Sequence, residues 1–206
     1  MDGTLLTSIA AAERVWTTWA LRHGVNVETF LPTIHGARAV DTIRRLGLPG
    51  VDAEAEAAWI TEAELLDVDG VVEVAGAVAF LAQLPADRWT IVTSAPLDLA
   101  LRRMQAAGIP RPQVMVTADD VKDGKPNPDC YLIAARRLNV AIGDCLIFED
   151  ASVGIQAAQA AGADLRVVTS THAHPMHTEH PSFFDYQGLQ PALEADGWLR
   201  IVPRAQ

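Results

Sequence analysis

Five polar residues of this chain have types that suit the binding of a phosphate group and a divalent cation. Asp2 is followed by Gly and Thr, Thr93 ends an apolar run, and Lys125 lies in the segment Gly-Lys-Pro-Asn-Pro. Glu149 and Asp150 end a second apolar run. Carboxylates provide the hard oxygen atoms that Mg²⁺ prefers, and a lysine ammonium is a compact charge for phosphate oxygens. The pattern therefore predicts a site for phosphoryl transfer.

Hydrolysis of a phosphate monoester requires a nucleophile, neutralisation of charge on the phosphoryl oxygens, and an acid for the leaving alkoxide. We expect Lys125 to neutralise the charge. The hydroxyl of Thr93 and the backbone amides of Ser94 and Ala95, at the start of a predicted helix, suit the binding of phosphate oxygens. Asp2 can donate a proton to the leaving group and later withdraw one from water.

Glu149 and Asp150 are predicted magnesium ligands, because Mg²⁺ binds one or two carboxylates together with water and phosphate. Taken one at a time, these residues have simpler interpretations. Asp150 also fits an N-cap of the next helix, and a lysine between Gly and Pro is usually a solvated loop residue. Their joint occurrence, in this order and at the ends of apolar runs, favours the functional interpretation.

The apolar runs predict short strands that alternate with helices, which is typical of an α/β fold with a parallel sheet covered on both faces. The predicted strands are residues 89–93, 114–116, 145–148, 165–168 and, at an edge, 199–202. The predicted helices are residues 10–22, 40–46, 53–66, 97–107, 129–138 and 151–161. Ligands of such sheets bind beyond the carboxyl ends of the strands, which is where Asp2, Thr93 and the acidic pair lie.

The composition indicates a globular protein and excludes several classes. Half of the 206 residues are hydrophobic, and the formal net charge of −10 argues against a broad nucleic-acid-binding face. The sequence contains no signal-peptide pattern and no apolar run of about 20 residues for a membrane helix. Cys130 and Cys145 lie in apolar patterns and are expected to be free thiols. We expect a cytoplasmic monomer with neither nucleic-acid nor membrane partners.

Four segments together resemble the motifs of the haloacid dehalogenase (HAD) superfamily of phosphohydrolases. They are Asp-Gly-Thr at residues 2–4, Ile-Val-Thr-Ser-Ala-Pro at 91–96, Gly-Lys-Pro-Asn-Pro at 124–128, and residues 147–162, which begin Ile-Phe-Glu-Asp. The resemblance covers nearly the whole chain. It implies a Rossmann-like core formed by residues 1–7 and 85–206, and a small helical cap formed by residues 8–84. It also implies a Mg²⁺-dependent phosphatase that works through a phospho-aspartate.

Within the predicted cap, the segment Ile-His-Gly-Ala-Arg at residues 34–38 resembles the branch of this superfamily that acts on sugar and glycerol phosphates. The resemblance implies that His35 and Arg38 face a small phosphorylated sugar or polyol, and that Asp2 is a third metal ligand. A sugar phosphomutase of the same fold is the alternative enzyme. In that case the phosphoryl group returns to the sugar instead of passing to water.

The nucleophile of the family motif Asp-x-Asp-Gly-Thr has no counterpart in this sequence, because Met1 matches x and the first Asp would precede it. The strand that carries this Asp in the family is missing as well. One interpretation is that Met1 is an internal methionine of a longer protein. The other is a shortened chain that cannot form the phospho-aspartate, and this leaves a non-catalytic phosphate-binding protein as an alternative to an enzyme. The retention of every other motif favours the first interpretation.

A histidine-rich tract follows the predicted strand at residues 165–168, and it consists of His172, His174, His177 and His180. Such tracts can bind zinc or nickel. However, no cysteine lies nearby, the spacing fits no common closed site, and prolines mark an irregular segment. We therefore interpret the tract as a solvated loop.

Overall fold

The computed structural model describes residues 1–172 and 178–204 of the 206-residue chain. Its helices are α1 (Ile9–Arg22), α2 (Val27–Phe30), α3 (Ala39–Leu46), α4 (Ala53–Leu66), α5 (Ala77–Leu81), α6 (Leu97–Ala107), α7 (Asp129–Leu138) and α8 (Ser152–Ala161). Its strands are β1 (Leu6–Thr7), β2 (Val72–Glu73), β3 (Ile91–Val92), β4 (Met115–Val116), β5 (Leu146–Glu149), β6 (Asp164–Val168), β7 (Ser182–Phe183), β8 (Leu189–Leu193) and β9 (Leu199–Pro203). In this part of the chain, no helix has both the length and the apolar character needed to cross a membrane.

The strands that carry the predicted site are parallel, as the sequence predicts for an α/β fold. β3 pairs with β4, and β5 pairs with β6, which in turn pairs with β7. The helices α6, α7 and α8 alternate with the strands β3 to β6 along the chain, as parallel crossovers require. The predicted Rossmann-like fold class is therefore confirmed.

The first four helices form an apolar cluster of their own. The indole rings of Trp16 and Trp19 pack edge to face, with centroids 5.6 Å apart, and Phe30 packs against both. Ile60 of α4 is fully buried in the same cluster. Aromatic burial of this kind stabilises a small domain strongly for its size. This helical cluster corresponds to most of the predicted cap.

Residues 71–81 pack with the sheet rather than with the four helices. Phe80 and the other buried side chains of this segment belong to the same cluster as Leu6, Ile91 and Val168. β1 and β2 pair antiparallel, with Leu6 opposite Glu73. This packing lies on the sheet side of the molecule, whereas the predicted domain division at residue 84 assigns the segment to the cap. The division itself stays a prediction.

An apolar groove separates β3 from β5. Each of these strands pairs with a neighbour on one side, and within the described residues they do not pair with each other. The groove has a volume of about 440 Å³ and is lined by Ile91 of β3, Ile147 of β5, Leu81 of α5 and Ala134 of α7. Met1 also lines it. The parallel sheet is therefore interrupted between two strands that both carry site residues at their carboxyl ends.

The last strand differs from its prediction. Residues 199–202 were expected to form an edge strand, but β9 pairs antiparallel with β8 in a separate two-stranded sheet. The reversal occurs at Asp196 and Gly197, where Gly197 has a φ of 84° and Trp198 N donates to Asp196 Oδ1 at 2.9 Å. Because an Asp-Gly turn favours a hairpin, local turn chemistry prevailed over pairing with the parallel strands.

Candidate active site

A pocket of about 110 Å³ lies where the carboxyl ends of β3 and β5 meet the helical cluster. The predicted site residues that line it are Asp2, His35, Thr93, Ser94, Ala95, Lys125, Glu149 and Asp150. Arg38, which was also predicted as a site residue, does not line this pocket. The structure therefore brings together residues that are up to about three quarters of the chain apart, at the edge where the parallel sheet is expected to bind ligands.

Asp2 is held by two donors. Ser8 Oγ donates to Asp2 Oδ1 at 2.6 Å, and Arg103 Nη1 donates to the same oxygen at 3.0 Å. Burial alone would raise the pKa of Asp2, but the Arg103 guanidinium, the α-amino group of the chain and the Ser8 hydroxyl hold this pKa below its usual value. Asp2 is therefore a carboxylate in this arrangement. Its Oδ2 atom accepts no hydrogen bond from the described residues.

Lys125 and Glu149 form a buried ion pair in the wall of the pocket. Glu149 Oε1 accepts hydrogen bonds from Lys125 Nζ and, at 2.5 Å, from the Tyr131 hydroxyl. Glu149 Oε2 accepts from the backbone N–H groups of Asp150 and Ala151 at 3.0 and 3.3 Å. Burial would raise the pKa of Glu149, but the Lys125 charge, the α-amino group of the chain and the hydrogen bonds from Lys125 and Tyr131 together lower this pKa well below its usual value. The pair therefore fixes the ammonium group in the pocket.

Asp150 has fewer protein partners than Glu149. Its Oδ1 atom accepts a hydrogen bond from Thr4 Oγ1 at 2.7 Å. Burial and the adjacent charge of Glu149 both raise the pKa of Asp150. A buried carboxylate in these surroundings is costly to ionise unless a cation lies nearby.

Two glycines leave room for the acidic pair. A Cβ atom on Gly154, in the first turn of α8, would lie 2.1 Å from Glu149 Oε1. A Cβ atom on Gly3, which has a φ of +74°, would lie 1.9 Å from Asp150 Oδ2. Since either side chain would overlap a carboxylate, the positions of Glu149 and Asp150 depend on the absence of a side chain at both sites.

The segment after β3 lies between the sheet and the cap. Thr93 is buried, and its backbone N–H donates to Val116 O at 2.9 Å, which continues the pairing of β3 with β4. Ala95 N donates to Thr93 Oγ1 at 3.2 Å. Ser94 Oγ donates to the carbonyl oxygen of Gly36 at 2.8 Å. The segment therefore orients the Thr93 hydroxyl and also binds the loop of residues 34–38, here named the cap loop.

The cap loop contacts the core closely. A Cβ atom on Gly36 would lie 2.5 Å from the Cβ atom of Ala151. His35 lines the pocket, and burial lowers its pKa although Glu13 lies 3.9 Å away. Arg38 was expected to face the substrate as well, but its guanidinium pairs with Asp41 at 2.6 Å. Short-range pairing and docking against the core therefore hold Arg38 away from the pocket in this arrangement.

The predicted metal ligands are not assembled into a cluster. Over residues 1–172 and 178–204, no three His, Cys, Asp or Glu side chains are grouped so that they could hold a metal ion. Asp2 contacts Ser8 and Arg103, and Glu149 contacts Lys125, so both carboxylates already have protein partners. Asp150 fits a hard divalent cation better, because a nearby positive charge would offset the burial of its carboxylate.

One histidine of the C-terminal tract contacts the site. His172 Nε2 donates to the backbone carbonyl of Asp150 at 2.8 Å, and Thr171 Oγ1 donates to Gly3 O at 2.7 Å. The interpretation as a solvated loop is therefore wrong for His172, which is half buried. His174 and His177 lie outside the described residues.

Sequence reasoning missed two charged residues of the pocket, Arg103 and Glu64. Both are buried, and Arg103 Nη2 lies 3.1 Å from Glu64 Oε1. Neither belongs to a recognised motif. The available signal was an arginine on the apolar face of α6, between Leu99 and Met104, because a buried arginine requires an anionic partner.

Comparisons with known proteins identify the family of this chain. A family model for haloacid dehalogenase-like hydrolases matches residues 1–162. The chain is 38% identical over 183 residues to hexitol phosphatase A of Escherichia coli (strain K12), covering 87% of this chain and 85% of the relative. It is 30% identical over 182 residues to glycerol-1-phosphate phosphohydrolase 2 of Saccharomyces cerevisiae, covering 83% and 73%.

Among solved structures, a hydrolase from Pseudomonas syringae has a TM-score of 0.74 at 25% identity, covering 85% of this chain and 84% of that one. The match to the family model includes every motif identified in the sequence, from Asp2 to the helix that follows Asp150. The fold and the sequence motifs therefore agree with the family match. The chain belongs to the haloacid dehalogenase-like hydrolase family.

Proposed function

We propose that this chain forms the body of a magnesium-dependent phosphatase of small phosphorylated sugars or polyols that works through a phospho-aspartate. The observation that carries the proposal is the pocket itself. A lysine fixed by an ion pair, a strand-end hydroxyl and two carboxylates, Asp2 and Asp150, line one small cavity beneath a helical cluster. This set of groups suits a phosphate dianion and a hard cation.

In this proposal, Lys125 neutralises charge on the phosphoryl oxygens. Glu149 keeps the ammonium in position, which removes the need to order a flexible side chain during the reaction. The Thr93 hydroxyl and the backbone amide of Ser94 bind phosphoryl oxygens in the loop before α6, and the Ala95 amide, which donates to Thr93 Oγ1, orients that hydroxyl. The Ser94 hydroxyl instead binds the cap loop, as its contact with Gly36 O supports.

Asp2 is the proposed acid and base. It protonates the leaving alkoxide oxygen as the P–O bond breaks, and it takes a proton from water when the phosphoenzyme is hydrolysed. Its pKa is lowered in this arrangement, so the carboxylate must gain a proton before the first step. The negative charge of a bound phosphate favours that protonation, because a like charge raises the pKa of a neighbouring carboxyl group.

The nucleophile has no counterpart in the chain, and we infer that the groove between β3 and β5 is where its strand would lie. An extended segment joined to Met1 would find an unpaired strand on either side. Met1 lines both the groove and the pocket, so the last residue of such a segment would lie beside the pocket. A carboxylate at that position would face the phosphate that Lys125 binds.

Magnesium would be held by Asp150, whereas Asp2 and Glu149, the other two predicted ligands, keep their contacts with Arg103 and Lys125. When bound, the ion neutralises negative charge on the phosphoryl group. The substrate class is inferred from the two curated relatives, which are named for hexitol and glycerol 1-phosphate. His35 faces the pocket from the cap and is the proposed contact for the sugar or polyol part.

The test compares three forms of the protein with glycerol phosphate and hexose phosphates, with and without Mg²⁺. The first is the chain itself. The second, here named the extended chain, carries an apolar strand of about five residues that ends in Asp directly before Met1. The third is identical except that this Asp is replaced by Asn. We expect Mg²⁺-dependent phosphate release from the extended chain, and rates lower by as much as about 10⁶-fold in the other two.

Each alternative has its own outcome in the same experiment. Isomerised sugar phosphate in place of free phosphate would indicate a phosphomutase. Binding of inorganic phosphate without turnover in any form would indicate a non-catalytic binding protein. An extended chain that folds with a raised melting temperature yet hydrolyses none of these substrates would refute the proposed function.

A further inference from the structure

Arg103 connects three parts of the molecule that are far apart in sequence. It lies in α6, where Leu99 and Met104 pack into the apolar core, and its side chain is 7% exposed. One guanidinium nitrogen, Nη1, lies 3.0 Å from Asp2 Oδ1, and the other, Nη2, lies 3.1 Å from Glu64 Oε1. Arg103 therefore bridges the loop that follows Met1 and the cap helix α4.

The cost of this arrangement suggests that it serves more than stability. A buried ion trio is rarely more stable than apolar residues of similar volume, because desolvation of the charges offsets their attraction. The Nε and Nη2 atoms of Arg103 are buried, and neither makes a hydrogen bond within the described residues, so the 3.1 Å contact of Nη2 with Glu64 is an ion pair without hydrogen-bond geometry. Fully satisfied networks are the rule in protein interiors, so an incomplete one requires an explanation.

We propose that Arg103 is a positioning residue for Asp2, and that Glu64 makes this positioning depend on the placement of the cap. The proposal rests on the proposed function, in which Asp2 is the acid and base. Glu64 is 8% exposed, belongs to α4 and lines the same pocket, so movement of the cap changes the contacts of Arg103 directly.

The geometry at Asp2 gives the physical basis. Ser8 and Arg103 both donate to Oδ1, and two donors on one oxygen fix the orientation of the carboxyl group. The Oδ2 atom remains available for the leaving oxygen of a substrate. As the carboxylate directly before Met1 bonds to phosphorus, the bond from phosphorus to the leaving oxygen breaks, and this oxygen takes the proton from Asp2 Oδ2 and departs as the alcohol. Arg103 stabilises the carboxylate that remains on Asp2.

The first experiment uses leaving-group dependence, measured in whichever form of the protein hydrolyses phosphate esters. The variants are Arg103→Met, Arg103→Lys and Glu64→Gln. Glycerol phosphate has a poor leaving group that requires an acid, whereas p-nitrophenyl phosphate does not. For Arg103→Met we expect kcat to fall about 10²-fold with glycerol phosphate, because misplacing a catalytic group by a small distance can lower the rate by about this factor. With p-nitrophenyl phosphate the decrease should stay within about threefold.

The other variants and controls separate positioning from general damage. Arg103→Lys should recover part of the loss, because an ammonium can reach Asp2 but cannot bridge both carboxylates. Glu64→Gln should show the same substrate dependence with a smaller decrease, about tenfold. Matched controls are Arg111→Met and Glu62→Gln, which make the same changes at exposed positions and should alter neither rate. Equal losses with both substrates, or no loss at all, would overturn the proposal.

A second experiment needs no turnover and is made with the chain itself. Hydrogen exchange is measured at the backbone amides of residues 2–8 in the chain, in Glu64→Gln and in Glu62→Gln. If α4 holds Asp2 through Arg103, Glu64→Gln should accelerate exchange in this segment, and Glu62→Gln should not. If exchange there is unchanged by Glu64→Gln, the proposed link is absent, even if the phosphatase assays succeed. Accelerated exchange without turnover in any form would instead contradict only the proposed function.

Discussion

Glu149 and Asp150 are neighbours in sequence, yet the structure treats their carboxyl groups in opposite ways. Glu149 accepts hydrogen bonds at both oxygens and is paired with Lys125, so its pKa is lowered. Asp150 accepts one from Thr4, and its pKa is raised by burial and by Glu149. One carboxylate is thus a permanent structural anion, whereas the other is destabilised until a cation arrives. A buried carboxyl group whose pKa is shifted in this way is typical of functional sites.

Asp150→Asn should increase the stability of the folded chain at pH 8 in the absence of Mg²⁺. A carboxyl group with a raised folded-state pKa lowers the free energy of unfolding as pH rises above its usual value of 3.8. Removing the charge should restore on the order of 1 kcal/mol or more at pH 8, and little below pH 4. Urea unfolding at both pH values measures this. Asp164→Asn, at an exposed position, is the control and should have little effect.

The same variant tests the metal site. Mg²⁺ should raise the melting temperature of the chain, because an ion that binds the folded state stabilises it by mass action. Mg²⁺ should leave the melting temperature of Asp150→Asn unchanged. An equal shift in both proteins would show that the ion binds elsewhere.

Gly154→Ala should destabilise the fold although alanine favours helices. Its Cβ atom would lie 2.1 Å from Glu149 Oε1, so the Lys125 pair must move. Overpacking of this kind costs about 1–3 kcal/mol. Gly143→Ala is the matched control, because a Cβ atom there meets nothing within 4 Å. Urea unfolding of both variants gives the comparison, and equal stabilities would contradict the close approach.

At the scale of secondary structure, α3 and the loop before it dock the helical cluster onto the core. Arg38 precedes α3, and its Nη1 atom donates to Val121 O at 3.2 Å while the rest of the guanidinium pairs with Asp41. A Cβ atom on Gly124 would lie 2.7 Å from Arg38 Nε. The arginine therefore lies against the backbone of the loop that carries Lys125.

Arg38→Met should loosen this contact. We expect faster hydrogen exchange in residues 121–127 and a higher KM for the substrate, because the cap no longer holds the lysine loop. Arg44→Met is the control, since Arg44 pairs with Glu54 on the exposed surface. A higher KM with unchanged exchange would instead favour direct contact between Arg38 and the substrate, as the sequence predicted.

The sequence predicts elements well where the determinants are local. The bounds of α4, α6 and α7 agree with the predicted helices, because apolar spacing and helix-ending residues mark them. β2 and α5 were missed, since short segments such as these form only through long-range packing and pairing. β8 was missed as well, although its partner β9 follows directly after the Asp-Gly turn. The site follows the same rule. The motif residues meet in one pocket, as strand ends in a parallel sheet do, whereas the Arg103–Glu64 pair depends on a cap-to-core contact that no motif records.

At the scale of the whole molecule, the interrupted sheet exposes unpaired strand edges. β3 and β5 border an apolar groove, and Leu146 at its rim is 37% exposed. Open strand edges favour pairing with other chains. At neutral pH the net charge of −10 causes repulsion between molecules and hinders such association. The repulsion weakens as the pH approaches the isoelectric point near 4.9.

Leu146→Lys should therefore reduce self-association. Charged side chains at a strand edge hinder pairing between molecules. Sedimentation velocity at rising concentration, at pH 8 and close to pH 5, should show less association for this variant than for the unmodified chain, most clearly at the lower pH. Leu66→Lys makes the same change at a residue that is 87% exposed and outside the groove. If both variants behave alike, the groove is not the surface that associates.

The interrupted sheet also bears on the dimensions of the active site. Thr93 follows β3, whereas Glu149 ends β5 and Asp150 comes directly after it. The Thr93 hydroxyl and the acidic pair therefore lie on opposite sides of the groove. A polypeptide segment that fills the groove would therefore set the distance between the Thr93 hydroxyl and the acidic pair. That distance decides how closely both can approach one phosphoryl group.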